Sequence, residues 1–228
     1  MINYAVILAS GKGERFGSEV PKQFIKICGK TILEHSVEIF EQNNKIDKII
    51  VVITPEYEQK AKDILSKYKK ICKILCGGKT RKESSYIGIN SIEEEEANVL
   101  IHDCARPFLS QNVLNNCIEE LEYQKAVTVA VPTTDTIVEV KENYIKNIPS
   151  RSTLMNVQTP QCFRLSLIKK AHDLSKNEND FTDDCGLIIR YNLCKISIVK
   201  GNRENIKITF PDDIVFTKEI LKKKDTAM

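Results

Sequence analysis

No run of apolar residues in this chain approaches the roughly twenty needed to cross a bilayer, and no basic segment followed by a long apolar stretch opens it. Neither a membrane span nor a secretory leader is expected, and the protein is read as cytoplasmic. An excess of one charge is also missing: 34 Lys and Arg against 31 Asp and Glu leave a net charge of +3, with both signs interspersed. A duplex nucleic-acid binder would concentrate a basic face, so no nucleic-acid partner is expected. Cysteine is plentiful, with eight in 228 residues, yet there is no C-x-x-C pair and no histidine at zinc-finger spacing. Reduced thiols buried as small hydrophobes are the expected state. Repeats, low-complexity linkers and a composition break that would mark a second domain are lacking too. Residues 1–228 are read as a single domain.

What is present is a regular alternation. Apolar, β-branched runs at 6–9, 48–54, 73–76, 98–102 and 126–131 read as strands covered on both faces. Between them, 31–42, 57–68, 84–95 and 111–123 carry helical spacing. This order predicts an α/β protein with a doubly wound, mostly parallel sheet. At Pro132 the rhythm changes. Residues 133–157 are turn-rich with period two, and Thr136–Val140 and Tyr144–Ile148 predict a β-hairpin turning at Glu142-Asn143. A lone hairpin is marginal in water, so this arm is expected to pack on a second subunit. Helices are expected again at 165–174, after a loop at 180–184, and at 211–224, with a strand at 195–199.

The chemistry-bearing residues cluster at strand ends. Tyr4–Ala9 opens into Ser10-Gly11-Lys12-Gly13-Glu14-Arg15-Phe16-Gly17 and then Pro21-Lys22-Gln23-Phe24. A strand that breaks into glycines gathers backbone N–H groups into an anion cradle, because glycine tolerates the tight turn. The P-loop pattern is absent, and Phe16 stands where a dinucleotide fingerprint needs its third glycine. Arg15 and Lys22 can meet phosphate oxygens and stabilise charge at a phosphorus under attack. Asp103 follows the predicted central strand, at the sheet edge where ligands bind, and could hold Mg²⁺; a helix cap or a partner for Arg106 is the other reading. His102 is read as a packing or hydrogen-bonding residue. Gly77-Gly78 enters a second helix through Lys79, Arg81 and Lys82, read as a basic, solvated helix start, with Gly78 and Ser84 as base or ribose contacts. Arg151 is a candidate for bidentate phosphate binding. Lys207 stands in the alternating run Asn205–Thr209, read as a short strand.

Together the segments A-x-G-x-G-x-R-x-G, P-K-Q-F, G-G-x-x-R-x-x-S, H-D-x-A-R-P, D-T, R-x-x-L, Q-T-P-Q-x-F, T-D-D and N-I-K-I-T, in that order from Ala9 to Thr209, resemble the CTP-dependent cytidylyltransferases of polyol phosphates, whose fold is a Rossmann-like nucleotidyltransferase sheet. The resemblance implies direct attack of an acceptor phosphate on the α-phosphorus of CTP, with pyrophosphate released and no covalent enzyme intermediate. It implies that Ala9, Ser10, Gly11, Arg15 and Lys22 hold the triphosphate, with Arg15, Lys22 and Lys207 catalytic. Gly78, Ser84 and Cys104 would line the nucleotide, and Asp103 would carry Mg²⁺. Arg106, Asp135, Thr136, Arg151 and Thr159 would serve the acceptor, with the arm crossing to a homodimer partner's site. Cys104 stands where Ala or Ser is usual, so thiol reagents are expected to affect activity. Ile148-Pro149-Ser150-Arg151 and Phe163-Arg164-Leu165-Ser166 resemble the ribitol-phosphate branch, whereas His102–Arg106 and Arg151–Leu154 resemble the methylerythritol-phosphate branch. The expected acceptor is D-ribitol 5-phosphate, for a surface polymer. 2-C-Methyl-D-erythritol 4-phosphate, for isoprenoid synthesis, is the alternative. A nucleotide-binding module without chemistry is the reading from another class.

Overall fold

The computed structural model describes residues 1–11, 13, 16, 17, 20–178 and 180–226, with side chains up to Leu221. In chain order the elements are β1 (Ile2–Ala9), β2 (Lys26–Ile27), β3 (Lys30–Thr31), α1 (Ile32–Glu41), β4 (Lys48–Ile53), α2 (Glu58–Leu65), β5 (Ile71–Cys76), α3 (Arg81–Asn90), β6 (Ala97–Asp103), α4 (Gln111–Tyr123) and β7 (Ala126–Pro132). They continue with β8 (Glu139–Lys141), β9 (Tyr144–Asn147), β10 (Met155–Arg164), α5 (Leu165–Leu174), α6 (Asp184–Arg190), β11 (Ser197–Lys200) and α7 (Asp213–Thr226).

A seven-stranded sheet in the order β11-β7-β10-β6-β1-β4-β5 forms the centre. Every pairing in it is parallel except those of β10, which runs antiparallel to both β6 and β7. The expected mostly parallel, doubly wound architecture is present. Alternate residues of β1 feed two separate cores, as the period of a strand requires. Ala5, Ile7 and Ala9 pack with α1, α2 and α4, while Tyr4, Val6 and Leu8 pack with α3, α5 and α6. Burial on both faces explains the uninterrupted apolar runs of β1 and β4. Gly88 lets α3 cross β1 closely, since a Cβ there would stand 2.5 Å from Val6 Cγ1.

Local signals set the helix ends. Thr31 and Glu34 form a reciprocal capping box at the start of α1. Thr80 accepts the Glu83 amide at 3.1 Å and starts α3 at Arg81, three residues before the expected boundary. The helix also ends early, at Asn90 rather than Glu95.

Two expectations fail. Asn205–Thr209 forms no strand; the segment is held by single contacts, including the Ile208 amide to the Ala105 carbonyl at 2.8 Å. Met155–Arg164, which the sequence reading left without regular structure, is a ten-residue strand between β6 and β7. Its pairing with β7 shifts register between Val157 and Gln161, which lifts Gln158 and Thr159 out of the ladder toward the site.

The hairpin turns where expected. Glu142 (φ 52°) and Asn143 (φ 68°) are both left-handed, the requirement of a two-residue turn that matches strand twist. Its strands are shorter than expected and all of 139–148 is exposed, including Val140, Tyr144, Ile145 and Ile148.

Candidate active site

β1 and β6 are neighbours at the centre of the sheet, and the chain leaves them toward opposite sides. A crevice at their carboxyl ends is where this topology places ligands. Asp103 closes β6 there, paired with Leu8, and the Cys104 amide donates to the Leu8 carbonyl at 3.0 Å. The Asp103 carboxylate accepts from Arg81 Nε at 3.0 Å and from Lys207 Nζ at 2.7 Å. Arg81 Nη1 reaches Asp184 Oδ2 at 2.7 Å, and Asp184 Oδ1 also accepts from Ser85 (2.6 Å) and meets His172 Nε2 (3.1 Å). Burial opposes ionisation of both carboxyls. The Arg81 guanidinium outweighs it, helped by Lys207 at Asp103 and by His172 and Ser85 at Asp184, and both are held well below the usual carboxylate range. Burial likewise disfavours the Arg81 cation, but the two carboxylates hold it firmly protonated.

The two lysines enter from different loops. Lys22 follows the first glycine loop in a single 3-10 turn and donates to the Ile208 carbonyl at 2.8 Å, next to Lys207. Gln23 Nε2 holds the Ala9 carbonyl at 2.9 Å. The two glycine loops meet side by side: Ser10 Oγ donates to Ser84 Oγ at 2.7 Å, and Ser84 Oγ accepts the Gly78 amide at 3.2 Å. A Cβ on Gly77 would stand 2.5 Å from Ser10 Cβ, so only glycine permits this approach.

Ala9, Ser10, Lys22, Gly78, Ser84, Asp103, Arg106, Thr159 and Lys207 are therefore gathered at one sheet edge; Gly11 is exposed beside them and Arg15 lies outside the described residues. Several expected roles need revision. Asp103 pairs with Arg81 and Lys207, whereas Arg106 Nη1 donates to the Asn205 carbonyl at 2.8 Å and its Nη2 reaches the Val157 carbonyl. The Cys104 thiol faces the apolar core, with 2 % of the residue exposed, and burial pushes it up to about 12. The thiol is therefore not an accessible target for thiol reagents. Cys117, Cys162 and Cys185 are also buried, but Cys28, Cys72 and Cys76 are exposed, so burial as small hydrophobes holds for only part of the set. The Thr159 hydroxyl is engaged by the Asp103 amide (3.1 Å) and His102 Nδ1 (3.0 Å), and the residue is buried. Asp135, Thr136 and Arg151 are exposed at the base of the arm, with Arg151 Nη1 on the Thr134 carbonyl at 3.2 Å. Within this chain they are tied to the arm.

Arg81 and Asp184 stand as fixed letters in the G-G-x-x-R-x-x-S and T-D-D segments, but the sequence reading gave neither a role at the site. The helix start read as solvated places a half-buried cation, Arg81, between two carboxylates. The S/T-x-x-E spacing of Thr80 and Glu83 would have moved the boundary to Arg81 and turned it toward the strand ends. His102, read as a packing residue, is fully buried and hydrogen-bonded, and burial lowers it to about 4, so its ring is neutral.

A model of the IspD family, described as 2-C-methyl-D-erythritol 4-phosphate cytidylyltransferase, matches residues 3–223. The chain belongs to the IspD family. It is 42% identical over 219 residues to the 2-C-methyl-D-erythritol 4-phosphate cytidylyltransferase of Thermosipho melanesiensis, covering 93% of this chain and 95% of that one. It is also 37% identical over 230 residues to the bifunctional ribulose 5-phosphate reductase/CDP-ribitol pyrophosphorylase Bcs1 of Haemophilus influenzae, covering 97% of this chain but 48% of that protein. Among solved structures, 4-diphosphocytidyl-2C-methyl-D-erythritol synthase of Anaerococcus prevotii superimposes with a TM-score of 0.86 at 32% identity, covering 97% of this chain and 96% of the other. This IspD-family chain is a CTP-dependent cytidylyltransferase.

Among the described residues, no three His, Cys, Asp or Glu side chains converge as a protein-built metal cage requires. The donor chemistry fits Mg²⁺ in a different way. Asp103 is an ionised, hard oxygen ligand with two of its roughly four acceptor positions used by Arg81 and Lys207. Mg²⁺ takes one or two protein carboxylates and fills its shell with phosphate oxygens and water. No helix among the described residues is long and apolar enough to cross a membrane.

Proposed function

We propose that this cytidylyltransferase transfers CMP from CTP to 2-C-methyl-D-erythritol 4-phosphate, releasing pyrophosphate. The observation that carries the acceptor is the named activity of its relatives: proteins called 2-C-methyl-D-erythritol 4-phosphate cytidylyltransferase match at 36% to 42% identity along nearly their full length. The sequence reading put ribitol 5-phosphate first, and the relatives favour its alternative. The ribitol reading keeps one specific support, the 37% identity to the bifunctional CDP-ribitol pyrophosphorylase.

In the proposed reaction an acceptor phosphate oxygen forms a bond to the α-phosphorus as the bond to the β-phosphate bridging oxygen breaks, and the electron pair leaves with pyrophosphate. The Ala9-Ser10-Gly11 loop binds the triphosphate, and Arg15 and Lys22 stabilise its developing charge. Gly78 and Ser84 contact the nucleoside. Lys207 spans the α-phosphate and the acceptor, and Asp103 holds Mg²⁺, which supplies charge neutralisation at the phosphates when bound. Arg106, Asp135, Thr136 and Arg151 serve the acceptor phosphate and its hydroxyls. The arm (133–157), inserted in the single domain 1–228, crosses a homodimer. The exposure of Val140 (60%), Tyr144 (79%), Ile145 (62%) and Ile148 (57%) supports this, because a hairpin with that much bare apolar surface needs a partner.

The deciding experiment incubates the purified protein with CTP, Mg²⁺ and either polyol phosphate while pyrophosphate is measured. Faster turnover with the methylerythritol phosphate is expected. A clear preference for ribitol 5-phosphate reverses the assignment, and release with neither removes both acceptors.

A further inference from the structure

We propose that His102 is a positioning residue of the transfer reaction: through Thr159 and the Arg106 carbonyl it holds the turn that presents Asp103 to Lys207. The inference rests on the reading that Asp103 and Lys207 serve the phosphates.

The hydrogen-bond directions around the ring leave one arrangement. The Arg106 carbonyl can only accept, so His102 Nε2, 3.0 Å away, carries the proton. Nδ1 is then bare and accepts from Thr159 Oγ1 at 3.0 Å. With its proton so committed, the Thr159 oxygen accepts the Asp103 amide at 3.1 Å. The loop closes on itself, since the Arg106 amide donates to the Asp103 carbonyl at 2.9 Å. The ring has no room to turn: His102 is 0 % exposed and lies edge-on to Phe40, with centroids 5.1 Å apart. The same turn reaches the catalytic lysine. Asn205, two residues before Lys207, donates to the Thr159 carbonyl at 3.0 Å and accepts Arg106 Nη1 on its own carbonyl at 2.8 Å. The imidazole thus sits behind the site, touching none of the phosphate-facing groups, yet fixing the residues on both sides of the Asp103–Lys207 pair. Thr159 links the two sides of this network through its hydroxyl and its carbonyl.

A histidine that merely fills space would affect melting and nothing else. Four variants separate the two roles: His102→Asn, which keeps a polar group near Nδ1; His102→Gln, which keeps one near Nε2; Thr159→Val, which keeps shape without the hydroxyl; and Thr159→Ser, which keeps the hydroxyl. In the folded enzyme, well below each variant's melting temperature, kcat should fall about 10–100-fold in His102→Asn, His102→Gln and Thr159→Val, the usual effect of losing a group that orients a site ligand. KM for CTP and for the acceptor should move by less than about threefold, Thr159→Ser should restore most of kcat, and Thr159→Val should cost little more once His102 is gone. Nitrogen NMR of the imidazole should show hydrogen on Nε2 and none on Nδ1. A proton on Nδ1, wild-type kcat in folded His102→Asn and Thr159→Val, or a Thr159→Val effect confined to acceptor KM overturns the inference. Lys207→Ala serves as the control: if it too retains wild-type kcat, the phosphate reading of the site has failed, whereas its inactivity beside active His102 variants sinks the positioning role alone. Should His102→Asn not fold, the Thr159 pair decides.

Discussion

Replacing Asp184 by alanine should destabilise the protein by about 3–5 kcal/mol, the usual cost of breaking a buried ion pair by removing one partner. Asp184 is 1 % exposed and accepts from Arg81, Ser85 and His172. Its loss strands Arg81 Nη1 beside an Nη2 that is buried and has no partner among the described residues, and it removes the partner of His172 Nε2. Arg81 keeps Asp103 through Nε, so the guanidinium is not left wholly without a counter-charge, which places the effect toward the lower end of the range. For a chain of this size each kcal/mol moves Tm by roughly 2–4 °C, so the variant should melt about 6–12 °C lower. Urea unfolding followed by circular dichroism gives the free energy, and a scan gives Tm. The pH dependence has a definite sign. Asp184 is held below its unfolded value of about 3.9, so its contribution is complete at neutral pH and is lost as the pH falls through the lower folded value. The gap between wild type and Asp184→Ala should therefore be full above about pH 5 and shrink in acid. A loss below about 1 kcal/mol in Asp184→Ala at pH 7 would refute the reasoning.

Lys22→Ala and Lys207→Ala should each lower kcat by more than about a hundredfold, as removing a group from developing phosphate charge does, with melting shifted far less than by Asp184→Ala; steady-state pyrophosphate assays check this. Val140→Glu together with Ile145→Glu should convert the proposed dimer to monomer and raise acceptor KM, measured by light scattering and kinetics on the same sample. In the native protein a disulfide-exchange reagent should modify Cys28, Cys72 and Cys76 first, with Cys104 reacting only on unfolding, as peptide mapping after timed quenching would report.

The parallel half of the sheet was legible because its strands are buried on both faces and so appear as unbroken apolar runs, Ile49–Ile53 above all. The hairpin turn was legible too, since Asn143 tolerates a left-handed backbone. β10 escaped notice for a physical reason. Met155, Asn156 and Val157 are exposed, and Gln158, Thr159 and Gln161 are buried polar residues held by hydrogen bonds, so neither alternation nor an apolar run marks the strand. Lys207 was found for its type and misread for its setting. The apparent alternation of 205–209 reflects a single buried Ile208 and a buried Asn205, not a ladder. Arg81 was misjudged because its two neighbouring cations, Lys79 and Lys82, suggested solvent, when its partners, Asp103 and Asp184, lie 22 and 103 residues away in sequence.

The late arrival of β10 carries a consequence for synthesis. β6, which bears Asp103, emerges from the ribosome roughly sixty residues before the strand that covers its outer side, which at about 5–20 residues per second leaves that edge open for several seconds. Over that interval β1, β4, β5 and β6 can already associate, and they present Ala97–Asp103 as an unpaired apolar edge. A nascent chain in this condition is a template for pairing with another copy of itself.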